Sequence, residues 1–217
     1  MKVKWILLLA AVGAVLFACK KDETFQLEIN GTITDGESNS ALNGVEVTLL
    51  HSEVAGGTFG NVFNTIATTA TNSSGYYAFE FDRSNTIEYK IEAAKLGYFD
   101  HEEIFPSEDV DTDAAYVHSF QLLPKATIQT TWVNTSPETD DDEITFFFMN
   151  MNSDCACCSS SQTVLTGQEV NESSTCDVVG NTWVRYFYSV EKMSGSYDVI
   201  DSIYCPILET TELFITY

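Results

Sequence analysis

Basic residues are scarce in this sequence: 10 lysines and arginines stand against 32 aspartates and glutamates, a formal net charge of −22. Such a field repels nucleic acid and anionic head groups, and it favours solubility and cations. Nucleic acid is therefore not an expected partner. Histidine is scarcer still, with only His51, His101 and His118. Absent altogether are a Gly-x-Ser-x-Gly elbow, a His-Glu-x-x-His helix and a glycine-rich phosphate loop, so no catalytic residue can be assigned. Each histidine reads as structural: His51 opens a loop, His101 lies among acids, and His118 sits in an expected strand beside Ser119. Long apolar runs are missing too. The stretch 5–17 has thirteen residues, where a membrane-spanning helix needs roughly twenty. No stretch shows a convincing period of 3.6 residues, which leaves helices without a signal.

What is present begins with an address. Lys2 and Lys4 precede the apolar stretch and small residues close it, the parts of a secretory signal peptide. Leu16-Phe17-Ala18-Cys19 resembles the bacterial lipobox, although Phe17 is bulkier than the residue usual there. The resemblance implies cleavage after Ala18, lipidation of Cys19, and attachment to a membrane through that N-terminal lipid. An ordinary signal peptide with an incidental cysteine is the plainer alternative. Cys19-Lys20-Lys21-Asp22-Glu23 is similar to the export signal with which certain Gram-negative bacteria send lipoproteins to the outer face of the outer membrane. The expected location is therefore the outer membrane, facing the exterior; a solvated tether explains the same charges. Without residues 1–18 the chain keeps 199 residues, with 8 basic and 32 acidic groups and a net charge of −24. That length suits one large domain or two small ones.

After the tether (19–24) the pattern alternates with period two. Phe25, Leu27, Ile29 and Ile33 face one way while Gln26, Glu28, Asn30 and Thr32 face the other, as in a half-buried strand. Further strands are predicted at 45–49, 63–70, 77–81, 87–93 and 117–123, with a glycine-rich loop between the second and third. Short strands separated by turn signals argue for an antiparallel sandwich. Past Pro124-Lys125, which reads as a hinge, alternation returns at 126–132, 144–149, 183–190 and 213–217. The predicted fold class is all-β, two antiparallel sandwiches in tandem over 25–124 and 125–217.

Four blocks carry a resemblance over 25–123. They are Gly31-Thr32-Ile33-Thr34-Asp35, Leu42-Asn43-Gly44-Val45-Glu46-Val47, Thr71-Asn72-Ser73-Ser74-Gly75-Tyr76-Tyr77-Ala78-Phe79, and Tyr89-Lys90-Ile91 with Gly97-Tyr98. In this order they resemble the carboxypeptidase regulatory-like domain, a transthyretin-like sandwich of about seven strands. Asn43 stands where that family often has proline. The family name refers to a domain beside a peptidase and implies no peptidase activity. The second half matches no family that its residues reveal.

Two clusters invite chemistry. Cys155, Cys157 and Cys158, joined by Cys176 and Cys205, read as two disulfides and one thiol, since such bridges persist outside the cytoplasm. In an extended backbone Cys158 points away from Cys155 and Cys157, which suits different partners, with Cys176 and Cys205 expected to supply them. A thiolate metal site and a redox thiol are the alternatives; the second cysteine knuckle that zinc sites usually have is missing. Asp109, Asp111 and Asp113 place three carboxylates at alternate positions, like the opening of a calcium loop, but Ala114 and Phe120 stand where its glycine and glutamate belong. No cofactor is expected; calcium at these carboxylates, or a metal at the cysteines, is the alternative. A second acidic loop, 138–143, reads as solvated turn.

Together these features predict a lipid-anchored surface module without catalytic activity, binding a glycan or an outer-membrane protein through loops 51–62 and 106–115. An ion-binding structural protein is the second reading. An enzyme with its site hidden in the second domain is the third.

Overall fold

The computed structural model describes residues 25–55, 58–149, 151–152 and 155–217. The signal peptide, the tether and Cys19 lie outside these residues. Among the described residues the chain is almost entirely strand, and no helix is long and apolar enough to cross a membrane.

The first eight strands are β1 (Gln26–Asp35), β2 (Glu46–Ala55), β3 (Thr58–Ala70), β4 (Tyr76–Asp82), β5 (Thr86–Ala94), β6 (His101–Pro106), β7 (Tyr116–Val117) and β8 (Phe120–Leu122). Alternation decides which face each buries. Along β1, Leu27, Ile29 and Ile33 are buried and Gln26 and Thr32 are exposed. β1 lies between β4, which is antiparallel to it, and β7 and β8, which run parallel to it. The facing sheet has the order β3-β2-β5-β6, antiparallel throughout. One core fills the space between them, built on Leu27, Ile29, Ile33, Val47, Leu49, Tyr77, Phe79, Tyr89, Ile91 and Phe105. Burying each such aliphatic or aromatic side chain contributes about 1.5–3 kcal/mol.

The turn at Asn72–Gly75 forms as its residues dictate. The Asn72 side-chain oxygen accepts from the backbone N–H groups of Ser74 and Tyr76, and Gly75 takes φ +75°. Its neighbour Thr71, fully enclosed, donates to the Leu42 carbonyl and accepts from the Val45 N–H.

Three expectations need correction here. Phe25 is 59% exposed, because β1 enters the core only at Leu27. Within the glycine-rich segment 51–62, residues 51–55 and 58–62 are the ends of a long β2–β3 pair, register-shifted near Ser52, rather than an open loop, and residues 56–57 lie outside the described residues. And β6 was not anticipated, since its outward side chains include Glu102 and Ile104 and break the apolar pattern.

The remaining strands are β9 (Lys125–Val133), β10 (Glu143–Met149), β11 (Thr163–Thr166), β12 (Asn171–Val179), β13 (Thr182–Lys192), β14 (Gly195–Cys205) and β15 (Thr210–Thr216). They form two further sheets, β12-β9-β15 and β11-β10-β13-β14. β15 runs parallel to β9, and the other pairs are antiparallel. Ile128, Trp132, Ile144, Phe146, Phe148, Val184, Tyr186, Val190, Leu213 and Ile215 make a second core, separate from the first. The junction is hydrogen-bonded: the Lys125 N–H donates to the Gly97 carbonyl at 2.7 Å, and the Gly180 N–H to the Pro124 carbonyl at 2.7 Å. The Leu208 side chain lies so close to Gly97 that a Cβ there would come within 2.8 Å of it.

The acidic loop 138–143 is not simply solvated. Asp142 is fully buried and accepts from the Glu138 N–H (2.8 Å), the Thr139 N–H (3.0 Å) and the Asn134 amide (3.0 Å). Lys192 stands 3.9 Å away. Burial alone would raise its pKa, yet these donors and the ammonium more than offset that and hold the carboxyl at about 2.

Candidate functional site

Two places gather side chains that can act on a ligand. The first is inside the first sandwich, on its open side. There β6 faces the segment 116–120 in a ladder of opposed side chains. His101 stacks on Phe120 with centroids 4.1 Å apart, Glu103 meets His118, and Phe105 stacks on Tyr116 at 4.9 Å. Alternation on each strand produces it: residues 101, 103 and 105 share a face of β6, and 116, 118 and 120 share the opposing one. His118 is placed by its backbone. Its N–H donates to the Asn30 carbonyl, and its carbonyl accepts from the Tyr77 hydroxyl at 2.7 Å.

One oxygen of Glu103 lies 3.4 Å from His118 Nε2 and 3.6 Å from His101 Nε2. All three donor atoms fall within 4.8 Å of one another. Both nitrogens are buried and neither has a hydrogen-bond partner. Burial pushes both imidazoles down in pKa while the Glu103 carboxylate opposes it, and at His118 the neighbouring His101 adds to the fall. Burial, helped by Glu103, also pushes the Tyr77 hydroxyl well up, so it stays protonated and donating.

The second place is the outer face of the sheet β11-β10-β13-β14. Outward positions pair across it: Trp183 with Tyr204 (centroids 5.6 Å), and Phe147 with Phe187 (5.0 Å), which in turn is opposite Ile200. Trp183 is 67% exposed. A depression of about 250 Å³ adjoins it, lined by Met149, Met151, Trp183 and Arg185 and, from the first sandwich, by Glu37. Its lining thus combines an exposed aromatic ring and two methionines with one cation and one carboxylate, an amphipathic surface.

The cysteines form two bridges, Cys155–Cys157 and Cys158–Cys176, and Cys205 is a buried thiol. Cys158 and Cys155 thus take different partners, but Cys205 is not one of them. The Cys158 N–H donates to the Asp177 carbonyl, which docks the segment on β12 beside Cys176, whereas Cys205 ends β14 in the opposite sheet. Asp109, Asp111 and Asp113 are not drawn around one point: Asp109 ends the short 3-10 turn Ser107–Asp109, and Asp111 accepts from the Asp113 N–H of its own loop. His51 offers one ring nitrogen to Thr86 (3.1 Å), Ser84 (3.4 Å) and Glu53 (3.6 Å) alike. A catalytic triad needs nucleophile and orienting acid on different nitrogens, so this is not one.

No family model matches the chain, and no curated protein matches its sequence. Among solved structures it is similar to the Bacillus anthracis TIE protein, with 14% identity, a TM-score of 0.37, and coverage of 88% of this chain and 34% of that one. It is similar to the shaft pilin SpaA of Lactobacillus rhamnosus GG at 10% identity and a TM-score of 0.33, covering 89% of this chain and 97% of that one. It is also similar to BcpA, the major pilin subunit of Bacillus cereus, at 9% identity and a TM-score of 0.33, covering 83% and 69%. The chain thus spans about a third of the first of these. The likeness is one of β architecture alone and carries nothing about function.

Proposed function

We propose that the protein is a lipid-tethered module of the outer cell surface, without catalytic activity, that binds a glycan on the aromatic face of its second sandwich. The single observation behind this reading is the exposed Trp183–Tyr204 pair, on the same sheet face as Phe187, with Arg185 and Glu37 among the residues lining the adjoining depression. Sugars present apolar C–H faces that stack on aromatic rings and hydroxyl groups that pair with charged side chains, which is the chemistry this face offers. The lipobox-like Leu16-Phe17-Ala18-Cys19 and the charged tether after it support the anchorage, and the sandwich architecture supplies a rigid platform.

Affinity electrophoresis through gels containing soluble polysaccharides tests the binding. Retardation by at least one polysaccharide is expected, and Trp183→Ala is expected to weaken it about tenfold or more, as truncating an exposed aromatic anchor does. Because Trp183 is mostly exposed, its removal should leave the melting temperature unchanged. Retardation that survives both Trp183→Ala and Tyr204→Ala would move the ligand elsewhere. Anchorage is tested separately, by protease shaving of intact cells and by Cys19→Ser.

A further inference from the structure

We propose that His101, Glu103 and His118 bind a divalent first-row transition ion, with zinc as the reference metal, and that the ion clips the two sheets of the first sandwich together. Two imidazole nitrogens and one carboxylate oxygen are the donor types that zinc and its neighbours take, whereas calcium and magnesium take oxygen almost exclusively. Zinc bonds of about 2.0–2.1 Å set tetrahedral donors roughly 3.3–3.4 Å apart. The Glu103 oxygen stands 3.4 and 3.6 Å from the two nitrogens, close to that spacing, and all three donors lie within 4.8 Å of one another.

A purely structural role explains this arrangement less well. Buried polar atoms nearly always find partners, and leaving one without costs stability. Here two imidazole nitrogens converge on one carboxylate oxygen and neither is hydrogen-bonded. The His118 side chain is only 9% exposed and is aimed at that convergence. Its ring is held by Phe105 and Tyr116, and that of His101 by Phe120, so the donors do not have to be ordered when the ion arrives. Glu103 is about half exposed, which gives the ion a way in and leaves a further coordination position to water.

The placement also says what the ion would do. His101 and Glu103 belong to β6, the edge of the sheet β3-β2-β5-β6, while His118 belongs to the segment that lies against β1 in the other sheet. Among the described residues no strand pairing joins β6 to β7 or β8, and the nearest backbone link is the bond from the Phe99 N–H, before β6, to the Leu123 carbonyl, after β8, at 2.9 Å. A metal there supplies a cross-link farther along that side, where the contacts between β6 and the segment 116–120 are made by side chains.

Calorimetric titration of the purified mature chain, bridges intact, with zinc chloride tests the site. One ion per chain is expected, with a melting temperature raised by about 5 °C or more at saturation. Glu103→Gln and His101→Gln keep side-chain volume at partly exposed positions, and each should weaken binding about tenfold or more. Cobalt(II) should give visible d–d bands without the thiolate charge transfer that cysteine ligation produces. Three outcomes would overturn the proposal: no stoichiometric binding by the wild-type chain, unchanged affinity in both variants, or a cobalt spectrum carrying thiolate charge transfer.

Discussion

Gly31 lies directly beneath the backbone of His118: a Cβ on Gly31 would sit 1.8 Å from the His118 carbonyl oxygen, far inside contact distance. The glycine occupies an inward position of β1, where a side chain would otherwise be, and the chain between β7 and β8 uses that space to cross. Backbone cannot swing aside as a flexible side chain can. Gly31→Ala should therefore cost about 2–3 kcal/mol, at the upper end of overpacking penalties, and should dislodge His118 from Glu103. Urea denaturation measures the first effect, and an unchanged midpoint would refute it. Thr32→Ala, one residue on and outward-facing, is the control.

Asp142 sets a pH window. Its carboxyl titrates at about 2 in the folded chain, below the ~3.9 of an unfolded aspartate. A depressed folded value means that the stabilisation is fully present above the unfolded pKa and is lost as pH falls toward the folded one. The second sandwich should accordingly lose stability between about pH 4 and pH 2. In Asp142→Asn the chain should be less stable at neutral pH and should lack this acid-dependent component. Near-ultraviolet dichroism melts across that range would show it, and identical pH profiles for the two chains would count against it.

The cysteine pairing gives a mass and a ranking. The unreduced mature chain should weigh four hydrogens less than its fully reduced form. Alkylation of the native protein should label none of the five cysteines 155, 157, 158, 176 and 205, because Cys205 is fully buried and burial also raises its thiol pKa. Denaturant without reductant should then expose one. Removing Cys158–Cys176, which closes a separation of 18 residues, should cost about 3 kcal/mol by loop entropy. Removing Cys155–Cys157, with a separation of 2, should cost much less. A larger loss from the short bridge would reverse the argument.

A fragment of residues 25–124 should fold alone. Its buried core runs from Leu27 to Leu122 and borrows no residue from beyond the junction. What it gives up is local: the Lys125 N–H bond to Gly97, the Gly180 N–H bond to Pro124 and the Leu208 side chain over Gly97. Amide exchange over the β1–β4 pair is the measurement, and protection factors near unity there would show that the second sandwich is required.

The strands with an alternating buried face were legible in the sequence, the edge strands β3 and β15 among them, whereas β6, β11, β12 and β14 were not. β1, β4, β5, β9 and β10 alternate cleanly because one side meets the core. β12 begins Asn171-Glu172-Ser173-Ser174 with every residue exposed, and β14 is exposed over its first four, so neither carries an apolar rhythm. The histidine site was hidden for a different reason. His101 and Glu103 stand two apart, but their face of β6 has meaning only opposite His118, and the parallel return of β7 and β8 that brings it there leaves no local mark. The aromatic outer face was hidden in turn because Trp183, Phe187 and Tyr204 read as core until the sheet's inner side is known.

Both sandwiches place their first and last strands side by side and parallel, β1 with β8 and β9 with β15. A chain held at one end of such a pair and drawn from the other is pulled lengthwise along neighbouring strands in opposite senses. The ladder hydrogen bonds then bear the load together, in shear, instead of opening one after another as a zipper does. Three such pairings link β1 with β8 and seven link β9 with β15. Under tension the first sandwich should therefore yield before the second, and a molecule tethered at its N-terminus would lengthen first nearest its anchor while the distal sandwich kept its shape.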